Sequence, residues 1–383
     1  MILTDDQKAI QESARRFAVE RLLPDYQKRE RVAVLDREMV AEMGSLGFLG
    51  LDLPEALGGM GADALTVGLV TEQIAYGDFN VSTIQTSASL NGAILLRHGQ
   101  PEVVQEWVPR MTAGKAIVAI CLTEPGSGSD ASRLQLKAKR DGDHYVITGE
   151  KTSITFADRA DAYLVFARTG SPEEAYRGVS AFFIPYGDGK GITRTHFDDV
   201  GSAILGRGSV FFDGVRIPAS HRLGDEGRGF SQVMNGFDYS RALIGLQCVA
   251  AAQASLDEAW AYTKEREAFG RPIGQFQGVT FPLSEFESQI AAVRQLCYHT
   301  LALRDAGLPH TAEAAMCKWM GPRYGFDTIH QCLLTFGHYG WSKDLPHQQR
   351  LRDVMGLEIG DGMAQVMKLV IARERIGRVA VQY

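Results

Sequence analysis

The chain has 383 residues, of which 45% are hydrophobic and 22% charged, with a formal net charge of −6. That length allows more than one domain and a sizeable buried core, and the composition excludes a collagen-like, disordered or disulfide-stapled chain. The acidic balance argues against nucleic acid as a partner, because neutralising phosphates needs a basic surface.

From the start, Met1 to Gln7 lacks the basic residues and apolar run of a signal peptide. No apolar stretch approaches the roughly 18–20 residues that cross a bilayer, so no membrane association is expected. Residues 1–117 are predicted as an N-terminal helical domain. In Gln7–Val19 the residues Ile10, Ala14, Phe17 and Ala18 recur on one face at helical spacing. Pro54–Gly61 breaks that periodicity with three glycines in four positions and is predicted as a loop. Residues 118–225 change character. Tyr145–Ile147, Ala162–Ala167 and Val179–Ile184 are short β-branched and aromatic runs, punctuated by Asp141–Asp143, Gly170–Pro172 and Pro185–Gly189, which predicts a middle β domain. From 226 to 383 helical signals return, with long helices expected over Ser240 to about Glu267, Phe281 to about Ala306, and from Met363 onward. Helices, then strands, then helices point to an α+β protein with segregated layers and no βαβ alternation.

Five cysteines, Cys121, Cys248, Cys297, Cys317 and Cys332, are scattered and form no Cys-x-x-Cys pair. They are expected to be reduced thiols in a cytoplasmic compartment. The nine histidines show no ligand spacing, so no metal site is expected.

Thr123-Glu124-Pro125-Gly126-Ser127-Gly128-Ser129-Asp130 carries the most chemistry. Taken alone it is a Gly/Ser loop, either a surface turn or a close approach to a polar ligand. Preceded by Ala119–Leu122, it resembles the signature of the acyl-CoA dehydrogenase family. Four further stretches match in the same order: Pro54–Gly61; Phe212–Pro218 followed by Leu223–Phe230; Arg266–Ile273 with Gln275–Gln277; and Arg352-Asp353 through Asp361–Gln365 to Ala372–Glu374.

The resemblance implies an N-terminal helical domain, a middle β-barrel-like domain and a C-terminal four-helix bundle in a homotetramer. It implies FAD as cofactor, an acyl-CoA thioester as substrate, and an electron-transfer flavoprotein or similar acceptor. The absence of Gly-x-Gly-x-x-Gly after a strand agrees with a flavin site that is not of the Rossmann type. By match, Asp361 is the catalytic carboxylate, where most of the family has Glu. Judged locally, an Asp between glycines ahead of a helix is equally a favoured N-cap. Relatives that carry the base on the long helix opening the C-terminal domain have it where this chain has Ser240, which cannot serve.

Leu122 and Thr123 are implied to touch the flavin ring, with Thr155 at its other side and Ser153 where many relatives have Trp. Arg266, Phe269, Gln277 and Gly337 are implied to reach the cofactor of another subunit, and Gln365 to lie on its FAD side. A permanently charged, forked Arg266 suits a diphosphate. Ser129, Asp238 and Arg241 are the implied substrate contacts near the pantetheine, and Asn91 lies on the helix implied to line the acyl pocket. Asp361 within Gly356–Gly362 resembles family members acting on cyclohexane- and cyclohexene-carboxyl-CoA, so an alicyclic thioester is expected. A short- or branched-chain acyl-CoA dehydrogenase is the alternative, and a non-catalytic CoA- or lipid-binding helical scaffold is the alternative outside enzymes.

Overall fold

Thr4 starts the first helix with a reciprocal cap, its hydroxyl accepting from the Gln7 N–H while the Gln7 side chain accepts from the Thr4 N–H. In the computed structural model, which describes residues 2–380, helix α1 (Asp5–Phe17) runs on into a π-helical turn over Ala18–Leu22. Its expected apolar face is the buried one, with Ala14, Phe17 and Ala18 inside and Ile10 partly covered. Helices α2 (Tyr26–Val32) and α3 (Arg37–Ser45) follow. The Pro54–Gly61 stretch folds back as a short 3₁₀ turn, and Gly59 is needed there because a Cβ would lie 2.0 Å from the Leu53 carbonyl oxygen. Helices α4 (Ala64–Gly77) and α5 (Phe79–His98), capped by Asp63 and Asp78, are buried along most of their lengths, and α6 (Pro101–Thr112) closes the unit.

The middle unit comprises β1 (Val118–Cys121), β2 (Lys137–Asp141), β3 (His144–Ile154), β4 (Ala162–Arg168), β5 (Val179–Pro185), β6 (Ile192–Arg194), β7 (Gly208–Pro218) and β8 (Arg222–Leu223). They form one eight-stranded sheet in the order β6-β7-β3-β2-β4-β5-β8, with β1 pairing β4 in parallel. Two register shifts interrupt β3 against β7, one between Ile147 and Gly149 and one between Lys151 and Ile154. At the second, Ser153 adopts φ 56°, and this irregularity turns Ile154 inward where strict alternation from Lys151 would not.

Helix α7 (Gly229–Glu265) then spans 37 residues, followed by a two-residue hairpin of β9 (Glu267–Ala268) and β10 (Arg271–Pro272), and by α8 (Gln277–Asp305), α9 (Thr311–Thr335), α10 (His347–Ile359) and α11 (Ala364–Ile376). The expected start of the long helix at Ser240 is corrected to Gly229. Asn235-Gly236-Phe237-Asp238 weakens the local helical signal, but Gly229 and Gly236 both serve packing. A Cβ on Gly229 would meet Ser180 backbone at 2.5 Å, and one on Gly236 would meet Leu90 at 2.9 Å. Helices α7 and α9 cross just as closely, since a Cβ on Gly321 would lie 2.6 Å from the Gly245 Cα. Among the described residues no helix is long and apolar enough to cross a membrane.

Asp353 on α10 ties the three units together. It accepts hydrogen bonds from Tyr26 Oη at 2.6 Å, Asn80 Nδ2 at 3.0 Å and the Ser202 N–H at 2.7 Å.

Candidate active site

Strand β1 delivers the Gly/Ser loop onto a buried ion pair. Lys151 Nζ donates to the Leu122 carbonyl and to Glu124 Oε1, both at 2.8 Å, and the Glu124 carboxylate also accepts from the N–H groups of Gln135 and Leu136. The Thr152 N–H donates to the Thr123 carbonyl at 2.9 Å. Leu122 and Thr123 therefore sit beside the end of β3, close to Ser153 and Thr155. Burial pulls Lys151 down to about 8, against the opposing pull of Glu124. Sequence reading missed this lysine, which looks like any strand residue between Glu150 and Thr152. Among the described residues, the half-buried hydroxyls of Thr123 and Thr155 have no partner.

The second component is the turn between α10 and α11. Asp361 lies there at φ 54°, a left-handed conformation that Asp tolerates better than most residues. The N-cap reading of Asp361 is corrected: Met363 occupies that position, with φ −65° and ψ 161°, and no side chain caps α11. The Asp361 carboxylate and its backbone N–H make no hydrogen bond among the described residues. Burial raises the carboxyl above its ordinary range, opposed by the charges of Lys318 and then Arg241. Lys318, on α9 and 1% exposed, donates to the carbonyls of Leu357 at 2.6 Å and Gly362 at 3.1 Å, on either side of Asp361. It too escaped sequence reading, because only the fold brings it to this turn.

These two components meet. Ser129 Oγ donates to Met363 Sδ at 3.7 Å, which sets the Gly/Ser loop against the Asp361 turn. Arg241 on α7 is buried, holds Asp238 Oδ1 at 2.9 Å, and leaves its Nε without a partner. Asp238 Oδ2 is taken by Thr311 Oγ1 at 2.6 Å. Ser240 turns its hydroxyl back to the Phe237 carbonyl.

Asn91 on α5 is buried. Its Nδ2 donates to the Val118 carbonyl at 2.7 Å, so the amide brackets α5 to β1, and only Oδ1 is left without a partner. An aspartate here would set a carboxylate against the Val118 carbonyl oxygen.

Arg266, Phe269, Gln277 and Gly337 gather elsewhere, at the far end of α7. Arg266 lies roughly 37 Å along the axis from Arg241, at 1.5 Å rise per residue. Tyr262 stacks on Phe336 with ring centroids 4.3 Å apart, which brings the Gly337 turn to this end. Phe269 and Gly270 form the tight turn of the β9–β10 hairpin at φ 54° and 75°, and Phe269 is 95% exposed. No single chain can apply both clusters to one spot. Gln365, exposed in the first turn of α11, stays with the Asp361 end.

The free hydroxyls of Thr123 and Thr155 and the irregular end of β3 fit a planar polar ring, and the remote Arg266 suits a diphosphate. Comparison with known proteins agrees. Residues 4–115 match the N-terminal domain, 119–215 the middle domain and 227–376 the C-terminal domain of acyl-CoA dehydrogenase. A probable acyl-CoA dehydrogenase of Bacillus subtilis, YngJ, is 34% identical over 97% of this chain and 98% of its own. Benzylmalonyl-CoA dehydrogenase of Aromatoleum aromaticum is 33% identical over the same shares. The solved butyryl-CoA dehydrogenase of Megasphaera elsdenii superposes with a TM-score of 0.94 at 30% identity, over 98% of this chain and 99% of that one. Such matches across all three units define a flavin-dependent oxidoreductase. The chain belongs to the acyl-CoA dehydrogenase family and is an FAD-dependent enzyme, which sets aside the non-catalytic scaffold.

Proposed function

We propose that the enzyme oxidises a compact alicyclic acyl-CoA, of the cyclohexane- or cyclohex-1-ene-carboxyl type, between its α and β carbons, with Asp361 as the base. One observation carries this reading: a half-buried carboxylate without a hydrogen-bond partner, on the turn that meets the Gly/Ser loop, within reach of the charges of Lys318 and Arg241. The Asp361 carboxylate takes the α proton and holds it as a carboxylic acid. Its free backbone N–H donates to the thioester oxygen, where negative charge grows as that proton leaves. FAD bound here would supply the acceptor for the β hydrogen and its electron pair. Leu122, Thr123 and Thr155 hold the ring, while Ser129, Asp238 and Arg241 orient the thioester arm.

Aspartate reaches about 1.5 Å less than glutamate, one C–C bond, and misplacement of that size is costly in proton transfer. A rigid ring brought close to the turn closes that gap better than a flexible chain does. Arg266, Phe269, Gln277 and Gly337 serve the cofactor of a neighbouring subunit in a homotetramer, which explains an exposed Phe269 in a left-handed turn. Electrons leave to an electron-transfer flavoprotein or similar acceptor, in a reducing, cytoplasmic compartment where five buried unpaired cysteines are at home.

The alternative, a short- or branched-chain substrate, is favoured by the similarity to butyryl-CoA dehydrogenase. Anaerobic titration of the FAD-loaded enzyme with cyclohexane-carboxyl-, cyclohex-1-ene-carboxyl-, butyryl- and isobutyryl-CoA, with mass analysis of products, separates the two. Asp361→Ala is expected to slow flavin bleaching by about 100-fold or more while FAD stays bound. Undiminished bleaching removes Asp361 as the base.

A further inference from the structure

We propose that Lys318 is a positioning residue for the reaction, its buried ammonium clamping both ends of the Asp361 turn and presenting a fixed positive charge to the carboxylate. The inference rests on Asp361 being the base. An ammonium has three donors. Two go to the carbonyls of Leu357, in the last turn of α10, and of Gly362, directly after Asp361. The third makes no hydrogen bond among the described residues. Without Lys318, the carbonyls of Leu357 and Gly362, on either side of the left-handed Asp361, would lose the side-chain donor that ties them to α9. The anchor itself is rigid, because α9 lies against α7 at Gly321 and Gly245 with no room for a Cβ, and α7 also carries Arg241.

The charged groups that act on this site are Asp361 itself, Arg241 on α7 and Glu358 on α10, with Asp238 on α7 and Arg373 on α11 acting on Arg241, while Cys248 on α7 is held by burial as a neutral thiol. Burial draws Lys318 down to about 8, so it is largely charged at neutral pH. Its charge offsets the burial that raises Asp361. Losing that charge raises the Asp361 carboxyl further, so that a higher pH is needed to ionise the base.

The test compares FAD-loaded wild type with Lys318→Met, Lys318→Gln, Lys318→Arg and Asp361→Ala. Single-turnover bleaching by cyclohex-1-ene-carboxyl-CoA and butyryl-CoA is followed from pH 5 to 9, alongside FAD content and near-UV circular dichroism. Lys318→Met is expected to lower the saturating rate by about tenfold or more with a nearly unchanged half-saturating concentration, and to move the acid limb of the rate to higher pH. Lys318→Arg keeps the charge and therefore keeps the acid limb. If the Met variant does not fold, Lys318→Gln decides, and its acid limb must move the same way. Loss of Asp361→Ala activity together with an unmoved limb in the neutral Lys318 variant overturns the inference alone. So does activity that merely tracks lost FAD or folded protein. Undiminished bleaching by Asp361→Ala overturns the base and the inference with it.

Discussion

Asp353 offers a sharp test of how the three units are held together. Its side chain is 1% exposed and receives three donors, Tyr26 Oη, Asn80 Nδ2 and the Ser202 N–H. Burial still dominates and, helped by Asp78 and Glu30, lifts the carboxyl from 3.8 to about 7. In the unfolded chain it ionises near pH 4, so between about pH 4 and pH 7 the folded protein binds the extra proton. The stability this proton confers is complete below about pH 4 and is lost as pH rises through 7. A carboxyl that titrates near 7 when folded and near 4 when unfolded holds its proton about 4 kcal/mol more tightly in the folded protein. Asp353→Asn mimics the protonated form at every pH. The variant is therefore expected to gain about 3–4 kcal/mol relative to wild type between pH 4.5 and pH 8. Any penalty from its amide meeting the Ser202 N–H does not vary with pH and drops out of the slope. Urea unfolding of both proteins at closely spaced pH values measures the difference, and titrating groups remote from Asp353 cancel in the subtraction. A difference that stays level within about 1 kcal/mol would refute the reasoning.

Two further outcomes follow from packing and hydrogen bonding. Gly321→Ala forces a Cβ to 2.6 Å from the Gly245 backbone and should destabilise by about 1–3 kcal/mol or more, whereas Gly356→Ala at an exposed position of α10, with nothing within 4 Å, should stabilise by about 0.5–1 kcal/mol. Opposite shifts in the urea midpoint check the pair. Asn91→Asp removes the donor held by the Val118 carbonyl and should cost about 1–3 kcal/mol without opening a diene-forming activity. The urea midpoint and the mass of products from cyclohex-1-ene-carboxyl-CoA report both.

Much of the architecture was legible from local pattern. Short β-branched runs marked β3, β4 and β5, and the apolar face at Ala14, Phe17 and Ala18 is the one that is buried. The Gly/Ser loop and the turn carrying Asp361 were legible too, because composition and order within a short window carry them. The start of α7 was not, since Gly236 weakens the helix locally while serving a contact with Leu90 from another unit. Nor was the part played by Asn91, whose partner lies across a domain boundary.

By itself the sequence determined which residue types occupy each segment, and hence the layered order of helices, strands and helices and the chemistry of the two loops. Only the tertiary structure decided which groups share a buried volume. Lys151 became the partner of Glu124, Lys318 the clamp on the Asp361 turn, and Asp353 the junction of three units. The physical reason is that the ionisation and hydrogen bonding of a buried polar group depend on neighbours within a few ångströms in space, and for these residues most of those neighbours lie tens to hundreds of positions away in the chain.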